Sequence, residues 1–95
     1  MTIRVFYVNE FDYYAGDCTP EEILAKYMAD TGCTREESMD IDMDVPRELS
    51  VQELLDKQFI YENEEFLPIP QTFRSYLDEL IAKNTIFPHY FVSLE

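Results

Sequence analysis

Three times in 95 residues a serine or threonine is followed, three positions on, by a glutamate. Thr19-Pro20-Glu21-Glu22, Thr34-Arg35-Glu36-Glu37 and Ser50-Val51-Gln52-Glu53 all have the spacing of a capping box. In that arrangement the hydroxyl and the carboxylate each satisfy a backbone donor at a helix start. Three helix starts at fixed positions confine every other element to the gaps between them. In the first, Pro20 suits the opening helical position, where its missing N–H costs nothing. That helix is expected to reach Asp30 or Thr31, to end at Gly32 in the left-handed conformation, and to bury Ile23, Leu24, Tyr27 and Met28. The second box predicts a short helical turn. The third predicts a helix to Lys57 that buries Val51, Leu54 and Leu55. A further helix over Gln71–Lys83 follows from Phe73, Tyr76, Leu77, Leu80 and Ile81 recurring at helical spacing, with Asn84 as its C-cap.

The gaps read as follows. Ile3–Val8 (IRVFYV) is rich in β-branched and aromatic residues on both faces, which predicts a strand at a central sheet position. Asn9–Cys18 reads as a loop of acids and aromatics around Gly16. Met39–Val45 (MDIDMDV) alternates strictly, so an extended segment is expected, with Met39, Ile41, Met43 and Val45 packed inward and its acids in solvent. Gln58–Tyr61 and Glu65–Leu67 are expected to be short strands around Glu62-Asn63-Glu64, with Pro68 and Pro70 ending that region. His89–Leu94 (HYFVSL) is expected to be a closing strand. The fold class is therefore α+β: a small sheet of three to four strands packed against two main helices, as a single domain over residues 1–95.

Hydrophobic residues at 46% and aromatics at 15% are enough for a folded unit. Asp and Glu number 20 against 7 Lys and Arg, a net charge of -13. Such a surface repels the phosphates of DNA and RNA and the headgroups of anionic membranes, so neither direct nucleic-acid binding nor membrane binding is expected. No run approaches the ~20 apolar residues that span a bilayer, and no basic region precedes an apolar run at the N-terminus. A cytoplasmic protein is the expectation. Cys18 and Cys33 flank the first helix and are thereby held roughly 18 Å apart, beyond the ~7 Å reach of a disulfide, so both are expected to be reduced.

Catalytic and cofactor motifs are missing. Asp40-Ile41-Asp42-Met43-Asp44 begins like a calcium loop, but Val45 and Val51 stand where that loop needs Gly and Glu. His89 is the single histidine, and Cys18, Cys33 and His89 lack the paired spacing of a zinc site. With Gly16 and Gly32 as the only glycines, the glycine-rich phosphate loops are impossible. No catalytic residue, metal or cofactor is assigned, and an enzyme is not expected.

The acids themselves remain. Twelve of the 20 lie in residues 1–48, against Arg4, Lys26, Arg35 and Arg47. Glu10, Asp12, Asp17, Glu36, Glu37, Asp40, Asp42 and Asp44, together with Glu21 and Glu22, are expected to present carboxylates at phosphate-like separations. Phe11, Tyr13 and Tyr14 would be aromatic anchors for a basic protein partner. Self-repulsion should make the fold more stable with added salt or at modestly lower pH, provided the acids lack close partners.

In its size, charge and acidic runs Glu36-Glu37, Asp40-Ile41-Asp42-Met43-Asp44 and Glu62-Asn63-Glu64-Glu65, the chain resembles small acidic proteins of bacteriophages and mobile elements. Some of these, the anti-CRISPR and anti-restriction proteins, occupy the nucleic-acid groove of a host defence nuclease. The resemblance implies a non-enzymatic inhibitor that competes with nucleic acid. The alternative is a small adaptor that acts through apolar surface, or as a homodimer through an exposed strand.

Overall fold

A computed structural model describes residues 2–62 and 68–93. It is an α+β structure in which the described residues form a four-stranded antiparallel sheet, a two-stranded sheet and four helices, two of them long. Contacts divide the chain into two compact units, Met1–Leu49 with Ile86–Glu95, and Ser50–Thr85.

In the first unit β1 (Arg4–Tyr7) and β2 (Asp12–Gly16) form a hairpin, β3 (Arg47–Glu48) lies outside β1, and β6 (His89–Ser93) lies outside β2. The central place expected for the first strand is observed, and Val5, Phe6 and Val8 have no exposed surface. The stretch expected to be a loop is corrected: Asp12–Gly16 is the second central strand. Its acids and glycine suggest a loop, but Tyr13, Tyr14 and Ala15 are buried in the sheet and pair with both neighbours. Helix α1 (Pro20–Thr31) has the expected start and stop: Thr19 and Glu22 form a capping box, and Gly32 closes the helix at φ 74°. Of the four residues expected to be buried, Ile23, Leu24 and Tyr27 are, and Met28 is partly so. Its Ile23, Leu24 and Tyr27 join Phe6, Val8, Tyr14 and Met39 in one core cluster. Gly16 is crowded there. A Cβ on it would lie 3.2 Å from Cys18 Sγ, Ile23 Cδ1 and Pro88 Cβ. Cys18 and Cys33 are free thiols.

Helix α2 (Arg35–Ser38) is the predicted short turn, again with a complete capping box. The segment after it is not the predicted extended one. The Met43 N–H donates to the Asp40 carbonyl at 3.0 Å, closing a β-turn with Ile41 and Asp42 at its tip. The Asp40 carboxylate is held by the Tyr7 hydroxyl and the Glu10 N–H, and these long-range bonds outweigh the strand-like alternation. Met39 is buried and Met43 packs against the core as expected, but Ile41 is 98% exposed.

In the second unit α3 (Val51–Asp56) follows the third capping box. Only Leu54 of its three apolar residues is buried; Val51 and Leu55 are 72% and 50% exposed. A helix of six residues makes fewer than two turns and offers one inward position. Strands β4 (Gln58–Glu62) and β5 (Pro68–Thr72) pair antiparallel. Pro68 and Pro70 do not end the ribbon; they belong to β5, opposite Glu62 and Ile60. Two residues apart, they share the parity whose N–H would point away from β4, so the ladder loses no donor. The strand expected at Glu65–Leu67 lies outside the described residues. Helix α4 (Phe73–Ala82) starts two residues later than predicted, because Gln71 and Thr72 pair in β5 and Thr72 then caps the helix. Phe73, Leu77 and Leu80 are buried, and Asn84 takes φ 58° just beyond the helix end.

Candidate functional site

The candidate site lies in the first unit, where the β1–β2 turn meets α2 and the Asp40–Met43 turn. Asn9 organises it. Its Oδ1 accepts from the Phe11 and Asp12 N–H groups, closing the hairpin turn, while its Nδ2 donates to Tyr27 Oη at 3.0 Å and to the Ser38 carbonyl at 2.8 Å. One asparagine thus fixes the hairpin against both helices. The Glu10 N–H donates to Asp40 Oδ1 at 3.3 Å, which brings the two acidic stretches together.

Two depressions adjoin along this seam and share Met39 and Asp40. The larger, about 680 Å³, is lined by Arg35, Glu36, Ile41, Met43 and Asp44 besides the shared pair. The smaller, about 320 Å³, has Glu10, Phe11, Asp12 and Glu37 among its walls. Together they gather six carboxylates (Glu10, Asp12, Glu36, Glu37, Asp40 and Asp44) against the single guanidinium of Arg35. That guanidinium is already engaged, by Glu21 through a bidentate contact at 3.3 and 3.4 Å and by the Asp44 carbonyl.

The acids divide by the work they do. Asp40 accepts the Tyr7 hydroxyl, Asp12 the Tyr27 hydroxyl at 2.7 Å, and Asp30 the Tyr14 hydroxyl at 2.8 Å. Each bond favours the protonated phenol. The Asp40 hydrogen bond, then burial, pushes Tyr7 up to about 12; burial, then Asp12, pushes Tyr27 up to about 12. Tyr14 rises further, through burial first and Asp30 second. Glu22 and Glu37 are held in their capping boxes, and Glu21 pairs with Arg35. Among the described residues, the carboxylates of Glu10, Asp17, Glu36, Asp42 and Asp44 take no hydrogen bond or ion pair.

The expected row of acids is therefore resolved into two sets. Glu10, Asp12, Glu36, Glu37, Asp40 and Asp44 share the seam, and Asp42 sits beside Ile41 at the turn tip. Asp17 lies instead near Cys18, whose thiol burial pushes up, with Glu22 and Asp17 adding to the rise. Of the three aromatics expected as anchors, Phe11 is 44% exposed at the seam. Tyr13 and Tyr14 are corrected: β2 carries them into the interior, where Tyr13 stacks edge-on against Tyr7 and Tyr14 against Tyr27. Where a carboxylate shift is resolved, it falls on an acid with a close partner and runs downward. The Tyr14 hydroxyl, followed by Lys26, lowers Asp30, and the Thr34 backbone N–H lowers Glu37.

Asn9, Arg35 and Met39 carry much of this arrangement; none was expected as a site residue, Met39 being expected only to pack inward. The one available signal was Asn9, a turn-forming residue following a strand. Among the described residues no group of three or more His, Cys, Asp or Glu is placed to hold a metal ion, and no helix is long and apolar enough to cross a membrane. No family model matches the chain, and no curated protein or solved structure matches it.

Proposed function

We propose that this chain is a non-enzymatic cytoplasmic binding protein whose acidic seam engages a basic, nucleic-acid-binding protein and competes with nucleic acid for it. It neither binds nucleic acid itself nor associates with a membrane. An inhibitor of a host defence nuclease, of the kind carried by phages and mobile elements, fits this description. The observation that carries the reading is the pair of adjoining depressions, with six carboxylates and an engaged arginine, bordered by exposed Phe11 and Ile41. Strands, caps and turns fix the backbone that carries these carboxylates, so their spacing is set before binding and only side-chain ordering remains.

The test is a pull-down from a host lysate across a salt series, repeated with Glu10→Gln, Glu36→Gln, Asp42→Asn and Asp44→Asn combined. These four carboxylates have no partner to lose among the described residues. Retention of a nucleic-acid-binding protein should fall steeply between roughly 50 and 200 mM salt and be abolished in the variant. Binding indifferent to both would refute the reading.

A second reading, a homodimer or adaptor acting through apolar surface, has one observation in its favour. The edge strand β6 belongs to an acid-free stretch, residues 83–93, that exposes Ile86 and Tyr90. A concentration-dependent dimer in light scattering whose partner binding survives the four substitutions would favour it.

A further inference from the structure

The carboxylates account for attraction to a basic partner but not for the apolar residues among them. The Asp40–Met43 turn lifts Ile41 to 98% exposure beside Asp42, while Met39 and Met43 on either side pack against the core. An isoleucine wholly in water contributes no burial to this fold, whereas covering it on binding would strengthen association about tenfold or more. Methionine is unbranched and polarizable, so Met43 beside it can adapt to an incoming apolar side chain. The adjoining depression, about 680 Å³, lies within the roughly 300–1,000 Å³ range of clefts that receive ligands.

We propose, resting on the docking reading above, that this depression receives the apolar side of a basic amphipathic helix. An apolar residue of the partner packs on Ile41 and Met43, while its flanking Lys or Arg side chains meet Glu36, Asp42 and Asp44. Charge complementarity selects this occupant. An acidic amphipathic helix meets carboxylates at the rim, and a basic chain lacking apolar residues leaves Ile41 in water. Arg35 does not oppose the approach, because Glu21 and the Asp44 carbonyl already hold it.

Calorimetric titration with two synthetic basic peptides of equal charge tests this. One carries leucine at every third or fourth position; in the other those leucines are glutamine. The leucine peptide should bind at least about tenfold tighter at low salt. Ile41→Ser should bring the two to parity, whereas Ile86→Ser, which alters an 85% exposed residue outside the depression, should leave the preference intact. Because Ile41 is at a turn tip in solvent, its replacement should not move the melting temperature. Equal, salt-sensitive affinities for the two peptides would overturn the helix proposal and leave the electrostatic reading standing. A leucine preference that survives Ile41→Ser would also overturn it. Failure of both peptides to bind at low salt would overturn the helix proposal and count against the electrostatic reading as well.

Discussion

Where β1 and β2 pack with α1, Asp12 and Asp30 each accept a tyrosine hydroxyl; on α2 and the segment after it, Asp40 reaches back to accept the Tyr7 hydroxyl while Glu36, Asp42 and Asp44 take no such bond. The two regions use the same side-chain chemistry for opposite purposes. In the first, a carboxylate satisfies a phenol whose ring fills the interior, so its charge serves the fold. In the second, carboxylates stand in solvent beside an isoleucine, and their charge contributes nothing to packing. Net charge is therefore a poor guide to which acids are available to a partner; the hydrogen bonds each one already makes are a better guide.

The sharpest way to break this contrast is to truncate one apolar residue in each region. Leu24→Ala removes a buried member of the core cluster and should cost about 2–5 kcal/mol in urea unfolding, whereas Ile41→Ala should stay within about 0.5 kcal/mol. Comparable losses would mean that the turn is part of the core after all.

A smaller effect separates the tyrosine-bonded acids from the open ones. Tyr27→Phe leaves Asp12 and Asn9 each short of a partner and should cost about 1–2 kcal/mol. The same pair also predicts alkaline sensitivity. Tyr7 and Tyr27 lose their protons near 10 when unfolded but near 12 when folded, so their contribution is complete below pH 10 and disappears as pH rises toward 12. Unfolding followed by tyrosinate absorbance should show that decline, and Tyr27→Phe should lessen it while Tyr7 and Tyr14 keep their share. A flat profile in the parent protein would contradict the hydroxyl–carboxylate bonds.

The smallest effect concerns acid and salt. The carboxyl of Asp30 is held below its ordinary value, so its stabilisation is present above that value and is lost as pH falls through the folded one. Because Asp30 is exposed, the loss should be well under about 1 kcal/mol, and Asp30→Asn should remove it. Added salt should still raise the urea midpoint by screening the open acids, less so in the variant that lacks the carboxylates of Glu10, Glu36, Asp42 and Asp44. A midpoint that falls with salt would show that the ion pairs Lys26–Asp30 and Arg35–Glu21 outweigh self-repulsion.

What the sequence disclosed was local. All three capping boxes form, because a hydroxyl and a glutamate three residues apart need only each other's backbone. The central place of β1 was legible from apolar residues on both faces. Strand β2 was not, because Asp12 and Gly16 are loop formers that mask the strand preference of Tyr13 and Tyr14 until neighbours on both sides complete the pairing. The Asp40–Met43 turn was hidden by an alternation that two different backbones can satisfy, and the choice between them falls to Asp40, pinned by Tyr7 and the Glu10 N–H. The acids of the seam could be named in advance, but not which of them would be occupied, since that depends on Asn9, Tyr7 and Tyr27 meeting them across the fold.

The crowding at Gly16 has a practical use. With Cys18 Sγ, Ile23 Cδ1 and Pro88 Cβ converging on the space a methyl group would need, that corner has no spare volume. A methyl group added at Gly16 must therefore press on the partly exposed Cys18 sulfur, whereas Cys33 lies beyond the far end of α1 from Gly16. The maleimide labelling rate of Cys18 relative to Cys33 should therefore differ between the parent protein and Gly16→Ala, which makes the thiol a reporter of packing in this corner.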